Sequence, residues 1–331
     1  MTVRLLAAGD HFVLNRLLLD AVRAEAGELD FRELTLPWPV EPFGPVAEVK
    51  EASGTEDQLI EALDGAEICV TQMAPLTERV LAASPSLRLF CVSRGGPVNA
   101  NLEAAAKAGV KVTFAPGRNA TATAEHTLGM ILAAVRRIPQ THADLAGGIW
   151  RGDYYRFEAV GPELEGATVG LIGYGAIGTR VARMLEGFGA NVVVHDPYVP
   201  ELSIPLDDLL SRSSIVSLHA RATPETAGMI GAAQLARMPA GSVLVNCARG
   251  SLVDYAAVCD ALDSGHLFGA AFDVFDEEPI PYGSRLLRTR NLVMTPHLAG
   301  ASRQTAEKAA AIVAGDVGRY LRGEPLEHAA N

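Results

Sequence analysis

Three side chains able to move protons or hold anions each follow a separate apolar run late in the chain. Arg249 follows "GSVLVNCA", Glu278 sits in "AFDVFDEEP", and His297 closes "LVMTPH". A histidine titrates near ~6.5 and exchanges a proton at neutral pH. A neighbouring carboxylate favours its charged form and raises that pKa. Arginine presents a planar fork of donors that matches a carboxylate and an adjoining carbonyl oxygen. Taken singly, each has a plainer reading: a surface ion pair, an acidic turn, a loop histidine. Delivered together by three strand ends to one rim, they suit proton transfer to and from a substrate hydroxyl oxygen.

A second constellation supplies what such chemistry requires. In "TVGLIGYGAIG" an apolar strand runs directly into Gly173, Gly175 and Gly178, and a helical apolar period follows. The glycines allow a tight turn, close approach to a pyrophosphate, and helix–strand packing. The amides near Ala176 and Ile177, at the helix start, would hold phosphate oxygens. The next strand, "NVVVHDP", ends at Asp196, 21 residues after Gly175. A carboxylate there accepts hydrogen bonds from ribose hydroxyls and repels a 2′-phosphate, which selects NAD over NADP. His219 ends a further strand on the same rim and joins the candidate cofactor contacts.

Elements able to position these residues are legible as alternation. Strands are expected at 3–8, 67–72, 87–93 and 110–115, with helices at 13–25, 55–64, 77–83 and 101–108. One long helix is expected at 121–139, ended by Pro139. The segment 140–166, with Trp150, Tyr154 and Tyr155, shows little period and is expected to be an arm or helix against a second subunit, or a long surface connection. A second series places strands at 168–172, 191–195, 214–219, 242–246, 268–272 and 292–295, and helices at 176–188, 205–211, 231–237, 254–264 and 302–322. The polar tail "RGEPLEHAAN" is expected to be loosely ordered. Such alternation predicts an α/β chain with mostly parallel sheets.

The 331 residues are enough for about two domains, and the formal net charge is −11. That charge argues against nucleic acid and anionic membranes as partners. No apolar run is long enough to span a membrane, and the N-terminal run is interrupted by Asp10, His11, Asn15 and Arg16, unlike a signal peptide. Cys69, Cys91, Cys247 and Cys259 show no CxxC spacing, so no metal or redox motif is expected and a reducing, cytoplasmic setting fits. Glu125 and His126 lack the HExxH spacing of a zinc site, and no GxxxxGK[ST] loop is present.

In order, "GYGAIG", "HDP", "TPET", "NCARGSLVD", "AFDVFDEEP" and "TPHLAG" resemble the D-isomer-specific 2-hydroxyacid dehydrogenases. The likeness is strongest over 118–300. It implies two doubly wound parallel-sheet domains, a Rossmann cofactor domain (119–298) inserted into a flavodoxin-like substrate domain (1–118 and 299–331), with the active site in the cleft. It implies that Arg249, Glu278 and His297 are the catalytic set, that Asp196 binds ribose, and that Asp273 and the backbone near Cys247 contact the nicotinamide carboxamide. Thr226 would line the cofactor's phosphate and ribose side. The resemblance further implies a homodimer, with the long helix in the contact, and a small 2-hydroxy or 2-oxo acid as substrate.

Two departures concern the substrate. The chain reads "HARATPET", with Arg221 where the family commonly has proline, and "VSRGGPVNANLEAA" where many members carry a GxGxDNxD type of loop. Gly95 and Gly96 still could offer amides to a carboxylate, and Arg94 is a candidate second cation. The rival from another class is a non-catalytic, NAD-sensing binding protein like the family's corepressor relatives. The intact Arg–Glu–His set favours an enzyme.

Overall fold

The computed structural model describes residues 3–331. They form two compact units. One contains the chain up to Asn119 together with Ser302–Asn331, and the other is Ala120–Ala301.

The first unit is built on strands β1 (Arg4–Gly9), β2 (Asp30–Thr35), β5 (Ile68–Thr71), β6 (Leu89–Val92) and β7 (Lys111–Phe114), and β3 (Gly44–Val46) pairs with β4 (Val49–Ala52) as a separate antiparallel hairpin. The five-stranded sheet has the order β2-β1-β5-β6-β7, and every pairing in it is parallel. β5 and β6, "ICVT" and "LFCV", are buried at every position. Strands covered by helices on both faces carry continuous rather than alternating apolar runs, because neither face meets water. One face packs on the helices Asn15–Ala26 and Arg303–Leu321 through Leu18, Val22, Val313 and Val317. The other packs on short helices around Leu59, Leu63, Val80 and Leu87. Helix starts are locally encoded: Thr55 and Gln58 exchange hydrogen bonds as a capping box, and Asn101 and Ser302 cap theirs.

In the second unit β8 (Thr168–Ile172), β9 (Asn191–His195), β10 (Ile215–Leu218), β11 (Ser242–Asn246), β12 (Leu267–Phe272) and β13 (Leu292–Met294) form an all-parallel sheet in the order β13-β12-β11-β10-β8-β9. The order reverses at β8, so the glycine loop that follows β8 opens at the switch point, where open α/β sheets bind ligands.

Three expectations are corrected. The helix that begins at Ala120 ends at Val135, not at Pro139; Arg137 turns the chain with φ 52°, and a second helix runs Ile138–Ala146. Proline opens that helix rather than closing the first one, since a first-turn residue needs no N–H donor. Strand β2 and the β3–β4 hairpin were not expected, because "DFRELT" mixes charged and apolar residues without a clean buried face. The tail is ordered. Phe114 N donates to His328 O and Ala330 N to Val112 O, so the tail adds an antiparallel edge to β7. Asn331 completes it by bonding Val112 N and Val110 O at 2.8 and 3.0 Å.

Asp316, inside the last helix and fully buried, accepts from Glu327 N at 2.8 Å and faces His328 Nδ1 at 3.3 Å. Its replacement by Ala would leave the Glu327 amide without this partner. We expect Asp316→Ala to cost about 1–3 kcal/mol in urea unfolding and to expose the tail to carboxypeptidase. An unchanged midpoint and an unchanged digestion rate would show that the anchor contributes nothing.

Candidate active site

Gly173 leaves β8 with φ 100°, a conformation that L side chains avoid. A Cβ there would lie 2.6 Å from the His219 carbonyl carbon, so the turn is pressed against the end of β10. A Cβ on Gly178 would lie 2.3 Å from Gly173 O, which lets the helix Gly178–Glu186 seat on the turn. A Cβ on Gly175, by contrast, would meet nothing within 4 Å. The amides of Gly175, Ala176 and Ile177 donate to no protein acceptor among the described residues. Three available amides at a helix start, beside a glycine facing open space, form a cradle for an anion.

Asp196, just past β9, closes this cradle on one side. Its Oδ2 accepts from Tyr174 N at 2.6 Å and its Oδ1 from Tyr198 N at 2.9 Å, which fixes the carboxylate beside the glycine turn. Carboxylate oxygens have lone pairs beyond these for ribose hydroxyls. His219 bonds Ser217 Oγ at 3.0 Å, and burial pushes its pKa down to about 4, so its imidazole is neutral at neutral pH. Thr226 lies in an exposed turn, where its hydroxyl bonds Arg221 O at 2.7 Å and accepts from Thr223 N at 2.8 Å.

The remaining residues sit beyond β11, β12 and β13. Buried Asn246 shapes the first loop by donating to Arg249 O and accepting from Ala248 N. A Cβ on Gly250 would lie 2.0 Å from Phe275 C, so the Arg249 loop packs directly on the chain leading to Glu278. Arg249 itself is exposed, and its guanidinium donates to Ala248 O through Nη1, at 2.6 Å. Tyr255 OH holds Val274 O at 2.7 Å, and Glu278 Oε1 accepts from Phe275 N at 2.8 Å. Glu278 Oε2 then meets His297 Nδ1 at 2.7 Å.

His297 has φ 54°, and its amide donates to Asp273 O at 2.8 Å. The Glu278 hydrogen bond raises the His297 pKa above the ordinary histidine range; burial opposes the rise, the charges of Glu278 and Asp273 add to it, and nearby Arg249 counts against it. Burial tends to raise the Glu278 pKa, but the bonds to His297 and Phe275 N outweigh it and hold the carboxyl low. The pair is thus carboxylate and imidazolium over a widened pH range.

Asp273 follows β12 and is enclosed. Its side chain is 0% exposed, and its oxygens accept from Thr295 Oγ1, Leu298 N and Ala299 N. Both oxygens serve the loop that carries His297. Burial pulls its pKa up, yet bonds from His126, Thr295, Ala299 and Leu298 bring it below the ordinary value. Cys247 is buried, and desolvation pushes its thiol up to about 12, leaving only backbone to offer. Thr295 and His126 were missed from sequence: His126 Nε2 lies 3.0 Å from Thr295 Oγ1, behind Asp273. No spacing signal links residues 126 and 295; only the packing of the long helix on the sheet brings them together.

The first unit holds the other candidates. Arg94 is ion-paired with Glu51 at 2.5 Å and also meets Met73 Sδ, with its side chain 19% exposed. Its guanidinium is thus already engaged with a carboxylate of its own unit. Gly95 and Gly96 face open space. Among the described residues no cluster of His, Cys, Asp or Glu could hold a metal ion, and no helix is long and apolar enough to cross a membrane.

Residues 128–299 match the family model described as D-isomer specific 2-hydroxyacid dehydrogenase, NAD binding domain. The chain is 39% identical over 86% of its length to a D-3-phosphoglycerate dehydrogenase of Methanocaldococcus jannaschii, spanning only 56% of that relative. It is 35% identical to a glyoxylate reductase of Korarchaeum cryptofilum, covering 83% of this chain and 85% of that protein. A solved protein of Thermus thermophilus superposes with a TM-score of 0.81 at 31% identity, covering 99% of this chain and 100% of that one. The chain belongs to the D-isomer specific 2-hydroxyacid dehydrogenase family, and its second unit carries that family's NAD-binding domain.

The two glycine environments separate cofactor binding from folding. Gly175→Ala should leave the melting temperature nearly unchanged and weaken NADH binding by about tenfold or more, because the added methyl enters space left for phosphate. Gly173→Ala should destabilise the protein itself, since its Cβ meets backbone. Fluorescence titration with NADH beside thermal melts distinguishes the two; equal melting losses for both would remove the cradle from Gly175.

Proposed function

We propose that the protein is an NAD(H)-dependent oxidoreductase interconverting a small D-2-hydroxy acid and its 2-oxo acid. The observation that carries this reading is the 2.7 Å bond between His297 Nδ1 and Glu278 Oε2, on the same sheet edge that bears the anion cradle. Because the carboxylate accepts, Nδ1 carries the proton and Nε2 is left to exchange one. In oxidation Nε2 takes the proton of the substrate hydroxyl; in reduction the imidazolium returns a proton to the forming alkoxide. Bound NAD supplies the hydride acceptor and, when reduced, the donor. Arg249, exposed and donating to Ala248 O, serves as the fork for the substrate carboxylate and the neighbouring oxygen. Glu278 tunes the imidazole. D-specificity and the choice of a small acid are supported by the family and by its named relatives, a phosphoglycerate dehydrogenase and a glyoxylate reductase.

His297→Ala should lower turnover by about 10²–10⁴-fold while NADH binding stays within a few-fold. Turnover near the native rate would remove the histidine from proton transfer. Absent turnover over a panel of 2-oxo acids, joined to NAD-dependent changes in oligomeric state, would favour the sensing rival instead. Glu278→Gln removes the partner that raises the His297 pKa. The acid limb for oxidation and the basic limb for reduction should therefore both move to lower pH, and a stationary profile contradicts the pairing. Arg249→Ala should raise KM and lower kcat, with Lys restoring only part because it lacks the fork.

We further infer a homodimer in a cytoplasmic setting. Helix Ile138–Ala146 buries none of its residues, and Ile149, Trp150, Tyr155, Phe157 and Val160 are exposed beyond it, a concentration of apolar surface uncommon on a monomer. Trp150→Glu with Phe157→Glu should convert the native species to a monomer in light scattering; a native protein already monomeric at micromolar concentration would refute the inference.

A further inference from the structure

One polar chain in the second unit runs beside the acid–base pair without belonging to it. His126 lies on the helix Ala120–Val135, Thr295 directly follows β13, and Asp273 directly follows β12. The Thr295 hydroxyl donates to Asp273 Oδ1, and His126 Nε2 lies 3.0 Å from the same hydroxyl oxygen and 3.5 Å from that carboxylate oxygen. A threonine hydroxyl has one hydrogen to give. Met130 Sδ, at 3.9 Å, is a weak rival acceptor, so the ionised carboxylate takes that hydrogen. The hydroxyl oxygen then turns only lone pairs towards His126, and the 3.0 Å contact is attractive only if Nε2 carries a proton. The tautomer of His126 is thus set by Asp273 through Thr295, with Nε2 as the donor whether or not Nδ1 is also protonated.

The far end of this chain is His297. Asp273 Oδ1 also accepts from Leu298 N and Oδ2 from Ala299 N, and the Asp273 carbonyl accepts from His297 N. One residue therefore holds His297 at φ 54°, the conformation in which its ring meets Glu278. Asp273 has no exposed surface, and burial pulls its pKa up; the His126 bond leads the opposing causes, followed by Thr295, Ala299 and Leu298. A buried carboxylate stays ionised only while donors surround it. Hydrogen bonds in a chain also polarise one another, so a donor on Thr295 Oγ1 strengthens the bond that Thr295 gives to Asp273. The charged groups around His297 are Glu278, Asp273 and Arg249, and the one facing His126 is Asp273. Removing the His126 donor would let burial draw the Asp273 carboxyl upward. His297 would then lose part of the negative charge that favours its imidazolium, and part of the support for its loop.

We propose that His126 is a positioning residue for the acid–base pair: its Nε2–H fixes the Thr295 hydroxyl, Thr295 fixes the Asp273 carboxylate, and Asp273 aims the His297 loop at Glu278. The proposal rests on the reading above of His297 as the group that exchanges the substrate proton, so it is tested first without turnover. The full chain, labelled in its eight histidines and free of NAD, is titrated by NMR, with the His297 signal assigned from His297→Gln. His126→Leu and Thr295→Val should each lower the His297 pKa by about half a unit or more. His126→Gln, whose amide N–H replaces Nε2, and Thr295→Ser, which keeps the hydroxyl, should each retain most of the native value. His126→Leu combined with Thr295→Val should shift His297 no further than the worse single variant, because the two act in series. In NADH oxidation with the most rapidly reduced 2-oxo acid, the Leu and Val variants should lose about 10- to 100-fold in kcat while KM stays within a few-fold. A native His297 titration in both His126→Leu and Thr295→Val, equal titrations in the Gln and Leu variants, or additive shifts in the double variant would overturn the proposal. The Val and Ser variants of Thr295 decide it if a His126 variant does not fold. A His297 signal that moves as expected in a protein reducing no 2-oxo acid upholds the positioning and sinks the functional reading; a stationary signal with full turnover does the reverse.

Discussion

Asp273 ends β12 with no exposed surface, and its carboxylate accepts hydrogen bonds from Thr295, Leu298 and Ala299. Its carbonyl accepts the amide of His297. These bonds hold His297 in the left-handed region at φ 54°, a conformation costing a non-glycine residue about 1–3 kcal/mol. Without them the loop after β13 would relax, and the imidazole would lose its aim at Glu278. A buried carboxylate is tolerated because three or more donors surround it, which is also why its pKa falls despite burial.

Around that anchor the second unit is a set of short loops locked by backbone contact. Gly250 presses on Phe275, Tyr255 holds Val274, and Glu278 bonds the amide of Phe275. The polar side chains proposed to act on substrate are the ones left outside this lock. Arg249 and His297 remain partly exposed, whereas Cys247 and Asp273 are enclosed. Rigid support with a few exposed functional ends is what preorganised acid–base chemistry requires.

The first unit repeats the sheet type with a different rim. Its carboxyl edge carries enclosed polar atoms without partners, while its most conspicuous cation, Arg94, is neutralised by Glu51. Arg118, unremarkable in sequence, is the cation left uncommitted at Nη1. Charge counting along the chain cannot separate the two, because pairing depends on a residue 43 positions away in one case.

Local sequence determined a great deal here. The strand and helix series, the glycine turn and the strand ends bearing Arg249, Glu278 and His297 were legible because parallel strands are apolar throughout and their helices are amphipathic, signals confined to a few consecutive residues. Pro139 and the tail misled, since a proline's effect depends on whether it opens or closes a helix, and the polar tail found its partners on β7, more than two hundred residues earlier. Only the tertiary structure decided that Asp273 faces inward, that His126 stands behind Thr295, that Arg94 is paired, and that Arg118 is not. Each of these depends on which distant groups share an enclosed space, and hydrogen bonding and desolvation act through space rather than along the chain.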